Sequence, residues 1–131
     1  MLMHTKRLLV LKNILIHSVN LFYTLSIGLL SLVHISEVPK LNTGFDDKIV
    51  HFILYAGLCF TWFISLHTLK KKSSLLLACV ISIVFGTVIE FFQGVAFINR
   101  TADVFDLLAN CLGIFTMAFF IFTKKEAIVK K

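Results

Sequence analysis

The chain has 131 residues, of which 58% are hydrophobic and 15% are charged, and its mean hydropathy is +0.92. These values exclude an ordinary soluble globular domain and indicate a protein dissolved in lipid. The formal net charge of +6 comes from cations that flank the apolar segments. A positive charge in these positions is typical of membrane proteins, where it determines the orientation of the helices and contacts anionic lipid. We therefore expect membrane lipids as partners and no nucleic acid.

Four segments are long and apolar enough to cross a hydrocarbon core of about 30 Å, which takes roughly 20 helical residues each. In chain order they are residues 14–33, 49–69, 74–92 and 104–123. The sequence therefore predicts an all-α fold, a polytopic membrane protein with a four-transmembrane-helix bundle in one domain of residues 1–131. The first segment, diluted by His17 and Asn20, also resembles a signal peptide. Its length and the lack of an A-x-A site favour an uncleaved helix.

The cations predict the orientation of these helices. All but Lys40, Lys48 and Arg100 of the 13 Lys and Arg residues lie before the first segment, between the second and third, or after the fourth. By the positive-inside rule these regions face the cytoplasm, so we expect both termini to be cytoplasmic. The acids show the opposite distribution, since only Glu126 of the seven lies on the predicted cytoplasmic side.

Polar side chains recur at helical spacing where the second segment begins, the third ends and the fourth begins. These three ends share one leaflet in the predicted topology, so we expect their polar stripes to meet in an outward-facing pocket. Ionisable groups at this depth face protein or a cavity because exposure to lipid costs a few kcal/mol. The candidate ligand-binding residues are Lys48, His51, Tyr55, Glu90, Gln93, Arg100, Asp103, Asp106 and Asn110.

Two local expectations accompany this pocket. Arg100 is the expected partner of the nearby carboxylates, and Asp103 is expected to cap the fourth helix. Small residues at four-residue steps on the third segment predict a ridge that a neighbouring helix can approach closely. They are Ser74, Ala78, Ser82 and Gly86.

Other interpretations of these residues compete with a ligand-binding site. The acids and Arg100 could form only a salt-bridged collar that locks helix ends. A divalent metal held by His51, Glu90, Asp103 and Asp106 is conceivable, but no HExxH or CxxC pattern specifies it, so we expect no metal and no cofactor. Cys59, Cys79 and Cys111 lack metal-site or redox spacing and are interpreted as inert small hydrophobes, with no disulfide.

The ordered set Asp47-Lys48-x-x-His51-x-x-x-Tyr55, then Glu90-x-x-Gln93, then Arg100 with Asp106, Asn110 and Gly113 resembles the VanZ-like family of small bacterial membrane proteins. The resemblance covers residues 46–113. It implies a four-helix, multi-pass protein of the bacterial cytoplasmic membrane, in a family named for a member associated with teicoplanin resistance. It also assigns the matching residues to the ends of the second, third and fourth helices.

Four functions remain open at this level. The leading hypothesis is binding of a polar head group, from a lipid-linked envelope precursor or a glycopeptide, with Arg100 or Lys48 on phosphate. The second is an enzyme acting on such precursors, with catalytic candidates His51, Glu90 and Asp106. The third is transport or proton relay, and the fourth is a structural partner of an envelope complex. Self-association through the small-residue ridge is a further possibility.

Overall fold

Long runs of Leu, Ile, Val and Phe with few interruptions dictate the architecture. The computed structural model describes residues 2–32, 46–95 and 103–129, with side chains at 5–32, 46–95, 103–124 and 128. Within these ranges the secondary structure consists of four α-helices and short turns, without a strand. They are α1 (Leu2–Leu32), α2 (Asp46–Thr68), α3 (Ser74–Gln93) and α4 (Val104–Val129). The expected all-α class is confirmed.

By length and composition, these described helices include four candidate membrane spans. They are Thr5–Leu32, Asp46–Thr68, Ser74–Gln93 and Val104–Lys124. The first helix starts well before the predicted crossing of 14–33, because the residues ahead of Ile14 contain no Gly or Pro that would end a helix. The last helix also continues past residue 123. Insertion in a bilayer and the orientation of the termini stay predictions.

Helix α2 lies at the centre of the bundle. It packs against α1, α3 and α4, and its contact with α4 is the most extensive of the helix pairs. The core between the helices contains Tyr55, Leu58, Phe63, Ile114 and Ile121, each with at most 1% of its surface exposed. The outer surface is also apolar and carries many exposed Leu and Phe side chains. An apolar core with an equally apolar surface is the pattern expected of a bundle surrounded by lipid.

Helix α1 is attached to α2 by two polar contacts. The Tyr23 hydroxyl donates to the Leu54 carbonyl oxygen at 3.1 Å, and His17 Nδ1 lies 2.7 Å from Ser65 Oγ. His17 therefore has a structural role, because it joins α1 to α2. Interhelical hydrogen bonds of this kind contribute roughly 0.6 kcal/mol on average inside membranes.

The small-residue ridge of α3 faces protein, as predicted. Ser74, Ala78, Ser82 and Gly86 are all buried. At Gly86, an added Cβ would lie 2.8 Å from Cε1 of Tyr55 and 3.3 Å from Nδ2 of Asn110. The missing side chain therefore lets both polar residues, one from α2 and one from α4, lie against α3.

A second glycine sets the distance between α2 and α4. A Cβ at Gly113 would collide with the Phe52 carbonyl oxygen of α2 and would lie 3.2 Å from the Ala56 nitrogen. Both contacts are with backbone atoms, which cannot rotate away as a side chain can. Gly113 is thus required for the closest approach of the two most extensively packed helices.

We predict that Gly113→Ala lowers stability by about 1–3 kcal/mol, because the added methyl group forces the α2 and α4 backbones apart. The measurement is the free energy of unfolding of the purified protein in mixed detergent micelles. Gly28→Ala is the matched control, since its Cβ would lie 3.4 Å from the Phe85 ring, an ordinary contact. Equal stability of the two variants would contradict the close α2–α4 approach.

Candidate functional site

Most of the predicted site residues meet at one end of the bundle, where α2 and α4 begin and α3 ends. The end of α1 is joined to them, because the Gln93 side-chain amide donates to the Ser31 carbonyl oxygen at 2.7 Å. We use the name polar cluster for the following described residues: Asp47, Lys48, His51, Tyr55, Glu90, Gln93, Asp103, Asp106 and Asn110. They come from three separate helices and from the residue that precedes α4.

Helical periodicity explains why these residues converge. On α2 the cluster residues follow steps of three and four, and on α4 Asp106 and Asn110 are four apart, so each helix presents one polar stripe to its neighbours. The stripes are buried: His51 is 6% exposed, Glu90 6%, Asp106 7% and Asn110 1%. Burying polar groups costs free energy unless they form hydrogen bonds or ion pairs, so these side chains need partners within the bundle.

Lys48 is the central cation among the described residues of the cluster. Its Nζ lies 2.6 Å from Oδ2 of Asp103 and 2.6 Å from Oδ1 of Asp106. Oδ2 of Asp47 is farther away, at 3.9 Å. One ammonium group therefore links the first turn of α2 to two carboxylates at the start of α4.

His51 connects the same two helices one turn deeper. Its Nδ1 lies 3.0 Å from Oδ1 of Asn110, and because an amide oxygen only accepts, Nδ1 carries the hydrogen in this arrangement. The ring is also stacked on Tyr55, with centroids 6.4 Å apart. Its other nitrogen, Nε2, faces Oδ1 of Asp47 and Oδ2 of Asp106, each at 3.8 Å.

Asp103 caps α4, as predicted. Its Oδ1 accepts a hydrogen bond from the Phe105 backbone nitrogen at 2.8 Å, the usual N-cap geometry. Its own backbone nitrogen donates to Oε2 of Glu90 at 3.3 Å, which ties the end of α3 to the start of α4. The Lys48 ammonium, helped by the Phe105 N–H, holds the pKa of Asp103 below its usual value.

Three buried side-chain atoms in the cluster have no hydrogen-bond partner that meets the angular criteria among the described residues. One of them, Oδ1 of Asp106, has the Lys48 ammonium 2.6 Å away as an ion-pair partner. The other two, Oε1 of Glu90 and Nδ2 of Asn110, are a hydrogen-bond acceptor and a donor. Leaving such a group unsatisfied costs about 1–3 kcal/mol. These atoms are therefore places where a ligand or water would gain free energy by binding.

The exposure of the cluster changes with depth. The side chains of Asp47, Lys48 and Asp103 are 48%, 29% and 35% exposed, while those of His51 and Asp106 are 8% and 10% exposed. The cluster thus has a partly exposed charged rim above a buried polar floor. The charged side chains at the rim are therefore partly accessible, whereas the polar groups of the floor are shielded by the helices.

The pairing of Arg100 with the nearby carboxylates lies outside the described residues and stays a prediction. Among the described residues, Lys48 lies between the carboxylates of Asp103 and Asp106. The set of metal ligands considered from the sequence was His51, Glu90, Asp103 and Asp106, and the structure groups a partly different set. Among the described residues, one ligand atom each from Asp47, His51 and Asp106 lie within 4.8 Å of one another. The roles of His51, Glu90 and Asp106 as catalytic groups stay predictions.

Two contributors were not singled out from the sequence as site residues. Asp47 approaches His51, and its position four residues earlier on the same helix was a usable signal. Ser31 accepts the Gln93 hydrogen bond through its backbone carbonyl, and a backbone group has no sequence signature. Comparison of the chain with protein-family models, with curated proteins and with solved structures found no match.

The lowered pKa of Asp103 predicts a specific acid sensitivity. A carboxylate with a depressed folded pKa contributes stability above its unfolded pKa, and that contribution is lost as pH falls through the lower folded value. Asp103→Asn keeps a good capping residue but removes the charge. Its thermal midpoint should lie below that of the unchanged protein at pH 6, and the gap should close as the pH is lowered below about 4.

The control for this measurement is the same substitution in a Lys48→Met background. Without the ammonium the principal cause of the pKa shift is absent, so Asp103→Asn should have little pH-dependent effect there. A gap that is the same at every pH, or that persists in the Lys48→Met background, would show that the Lys48 contact does not stabilise the charged form.

Proposed function

We propose that this chain is a multi-pass VanZ-like protein of the bacterial cytoplasmic membrane, and that its polar cluster binds the polar head group of a lipid or lipid-linked envelope precursor. In this proposal both termini are cytoplasmic and the cluster opens to the outer face. One observation carries the binding role: the buried atoms Glu90 Oε1 and Asn110 Nδ2 lie without partners beneath a partly exposed charged rim.

The location in the bundle supports a head group as ligand. The cluster lies at the ends of helices that are apolar along the rest of their length. In a bilayer, helix ends lie near the level of the lipid head groups. The positive-inside distribution of Lys and Arg supports the outer leaflet for this end.

The charges favour a ligand that offers hydrogen-bond donors. Among the described residues, the cluster contains four carboxyl groups and one ammonium group, that of Lys48, which contacts two of the carboxylates at 2.6 Å. Direct contact of Lys48 with a phosphate would compete with both ion pairs. A hydroxyl or ammonium group of the ligand would instead donate to Glu90 Oε1, while a ligand carbonyl or phosphoryl oxygen would accept from Asn110 Nδ2.

A structural collar is the main competing explanation. A collar that holds the helix ends together requires the Lys48 ion pairs and the Asp103 cap, and the groups in both have their partners within the protein. It gives no reason for a buried carboxylate oxygen of Glu90 and a buried amide nitrogen of Asn110 without partners. These two atoms therefore favour the binding role over a purely structural one.

The direct test compares lipids that copurify with the protein. Glu90→Gln keeps the side-chain shape and an acceptor for the Asp103 N–H but removes the negative charge. We expect this variant to lose selectivity among copurifying lipid classes, measured by mass spectrometry as each class's abundance relative to the host membrane. The change should be several-fold for classes with amine or sugar head groups.

Glu126→Gln, the same chemical change near the other end of α4, serves as the control and should leave the lipid profile unaltered. Identical profiles for the unchanged protein and both variants, at equal yield and thermal midpoint, would favour the collar over head-group binding.

The family role is tested separately by teicoplanin susceptibility. Production of the protein in a sensitive host should raise tolerance to teicoplanin, and Glu90→Gln at matched membrane abundance should abolish that increase, while Glu126→Gln should not. If the unchanged protein has no effect, the resistance role is wrong for this chain. The lipid measurement would still decide whether the cluster selects head groups.

A further inference from the structure

We propose that Asp47, His51 and Asp106 form a binding site for a divalent transition-metal ion such as Zn²⁺ at the rim of the polar cluster. One ligand atom from each residue lies within 4.8 Å of the other two. The set of one imidazole and two carboxylates matches the donor types that such ions accept. Three protein ligands would leave a position for water or a ligand group.

The first support is the geometry around His51 Nε2. This nitrogen lies 3.8 Å from Oδ1 of Asp47 and 3.8 Å from Oδ2 of Asp106. Neither oxygen is within hydrogen-bond distance of it. A Zn²⁺ ion lies about 2.0–2.2 Å from each nitrogen or oxygen ligand, so two ligand atoms of one tetrahedral ion are separated by roughly 3.3–3.6 Å, slightly less than the distances seen here. Small inward movements of the carboxylates would complete the three bonds.

The second support is the hydrogen bond on the opposite side of the imidazole ring. Asn110 Oδ1 accepts from His51 Nδ1 at 3.0 Å, which leaves the lone pair of neutral histidine on Nε2. Histidines that bind metals usually donate their second N–H to an oxygen in this way, because that bond fixes the tautomer and the ring orientation. The His51 side chain is 8% exposed and its ring is stacked on Tyr55, so the ring is held with Nε2 toward the two carboxylates.

Lys48 is the obvious competitor for the same carboxylates, yet the oxygens are divided between the two positions. In Asp106, Oδ1 contacts Lys48 while Oδ2 faces His51. In Asp47, Oδ2 faces Lys48 while Oδ1 faces His51. Each carboxylate can therefore bridge the ammonium and an ion. Lys48 would weaken binding by charge repulsion without occupying the ion's position.

The ion site does not depend on head-group binding, because ion binding is measurable in the absence of added lipid. The experiment titrates Zn²⁺ against a colorimetric chelator, using the full chain purified in detergent and stripped of metal beforehand. We expect one Zn²⁺ bound per chain. Substitution of Co²⁺ should give visible absorption bands that Zn²⁺ then removes.

The variants separate a metal site from a merely structural cluster. Asp47→Asn changes a half-exposed side chain, so the protein should fold while its Zn²⁺ affinity falls at least tenfold. His51→Ala should remove stoichiometric binding, and Asn110→Leu should weaken it about 10–100-fold through loss of the supporting hydrogen bond. Lys48→Met should bind Zn²⁺ more tightly than the unchanged protein, an effect that no structural role predicts.

The matched control is His67→Ala, which replaces a histidine of α2 that stacks on Phe63. This variant should bind Zn²⁺ with the affinity of the unchanged protein. Absence of stoichiometric Zn²⁺ binding to the unchanged protein would overturn the proposal. An affinity unaltered by Asp47→Asn and His51→Ala would overturn it equally, because the ion would then be bound elsewhere. Failure of the lipid experiment alone would leave the ion site standing.

Discussion

The contact of the Lys48 ammonium with two carboxylates of the α4 start is the interaction on which this end of the molecule depends. Two distances of 2.6 Å join α2 to Asp103 and Asp106. In an apolar bundle, Asp106 without a cation would be a buried, uncompensated charge, and breaking such a pair costs about 3–5 kcal/mol. The Gly113 contact with α2 requires the same helix pair to lie very close. Charge and backbone contact together therefore fix the register of α2 against α4.

The polar cluster follows from that register. Once Lys48 is held at the start of α4, His51 lies beside Asn110 one turn further into the bundle, and α3 contributes Glu90 to the Asp103 backbone. Polar contacts are concentrated at this end, while the middle of the bundle is mainly apolar, with Leu58, Phe63 and Ile114 in its core. This asymmetry places much of the hydrogen-bonding capacity of the described residues at one end of the candidate membrane spans.

Much of this arrangement could be predicted from the sequence. The length of each apolar segment indicates a helix long enough to cross a membrane, and the spacing of three and four residues shows which polar side chains share one face of a helix. The α3 ridge and the Asp103 cap were predictable for the same local reasons. The Lys48 contacts were not predictable, because the charge pattern does not show which carboxylates this ammonium meets, and that depends on the three-dimensional register of α2 against α4. The approach of Cys59 Sγ to Cys79 Sγ, at 4.0 Å, was equally hidden, since helices paired in space leave no spacing motif.

The most direct test of this account is a double-mutant cycle on Lys48→Met and Asp106→Leu, with unfolding free energies measured in mixed detergent micelles. Lys48→Met leaves Asp106 buried without its cation, whereas Asp106→Leu removes one of the two carboxylates that contact Lys48 closely. If the ion pair fixes the α2–α4 register, the stability lost in the double variant should be smaller than the sum of the two single losses. A coupling of at least about 1 kcal/mol is expected for residues in direct contact. Additivity within about 0.5 kcal/mol would contradict the central role of this ion pair.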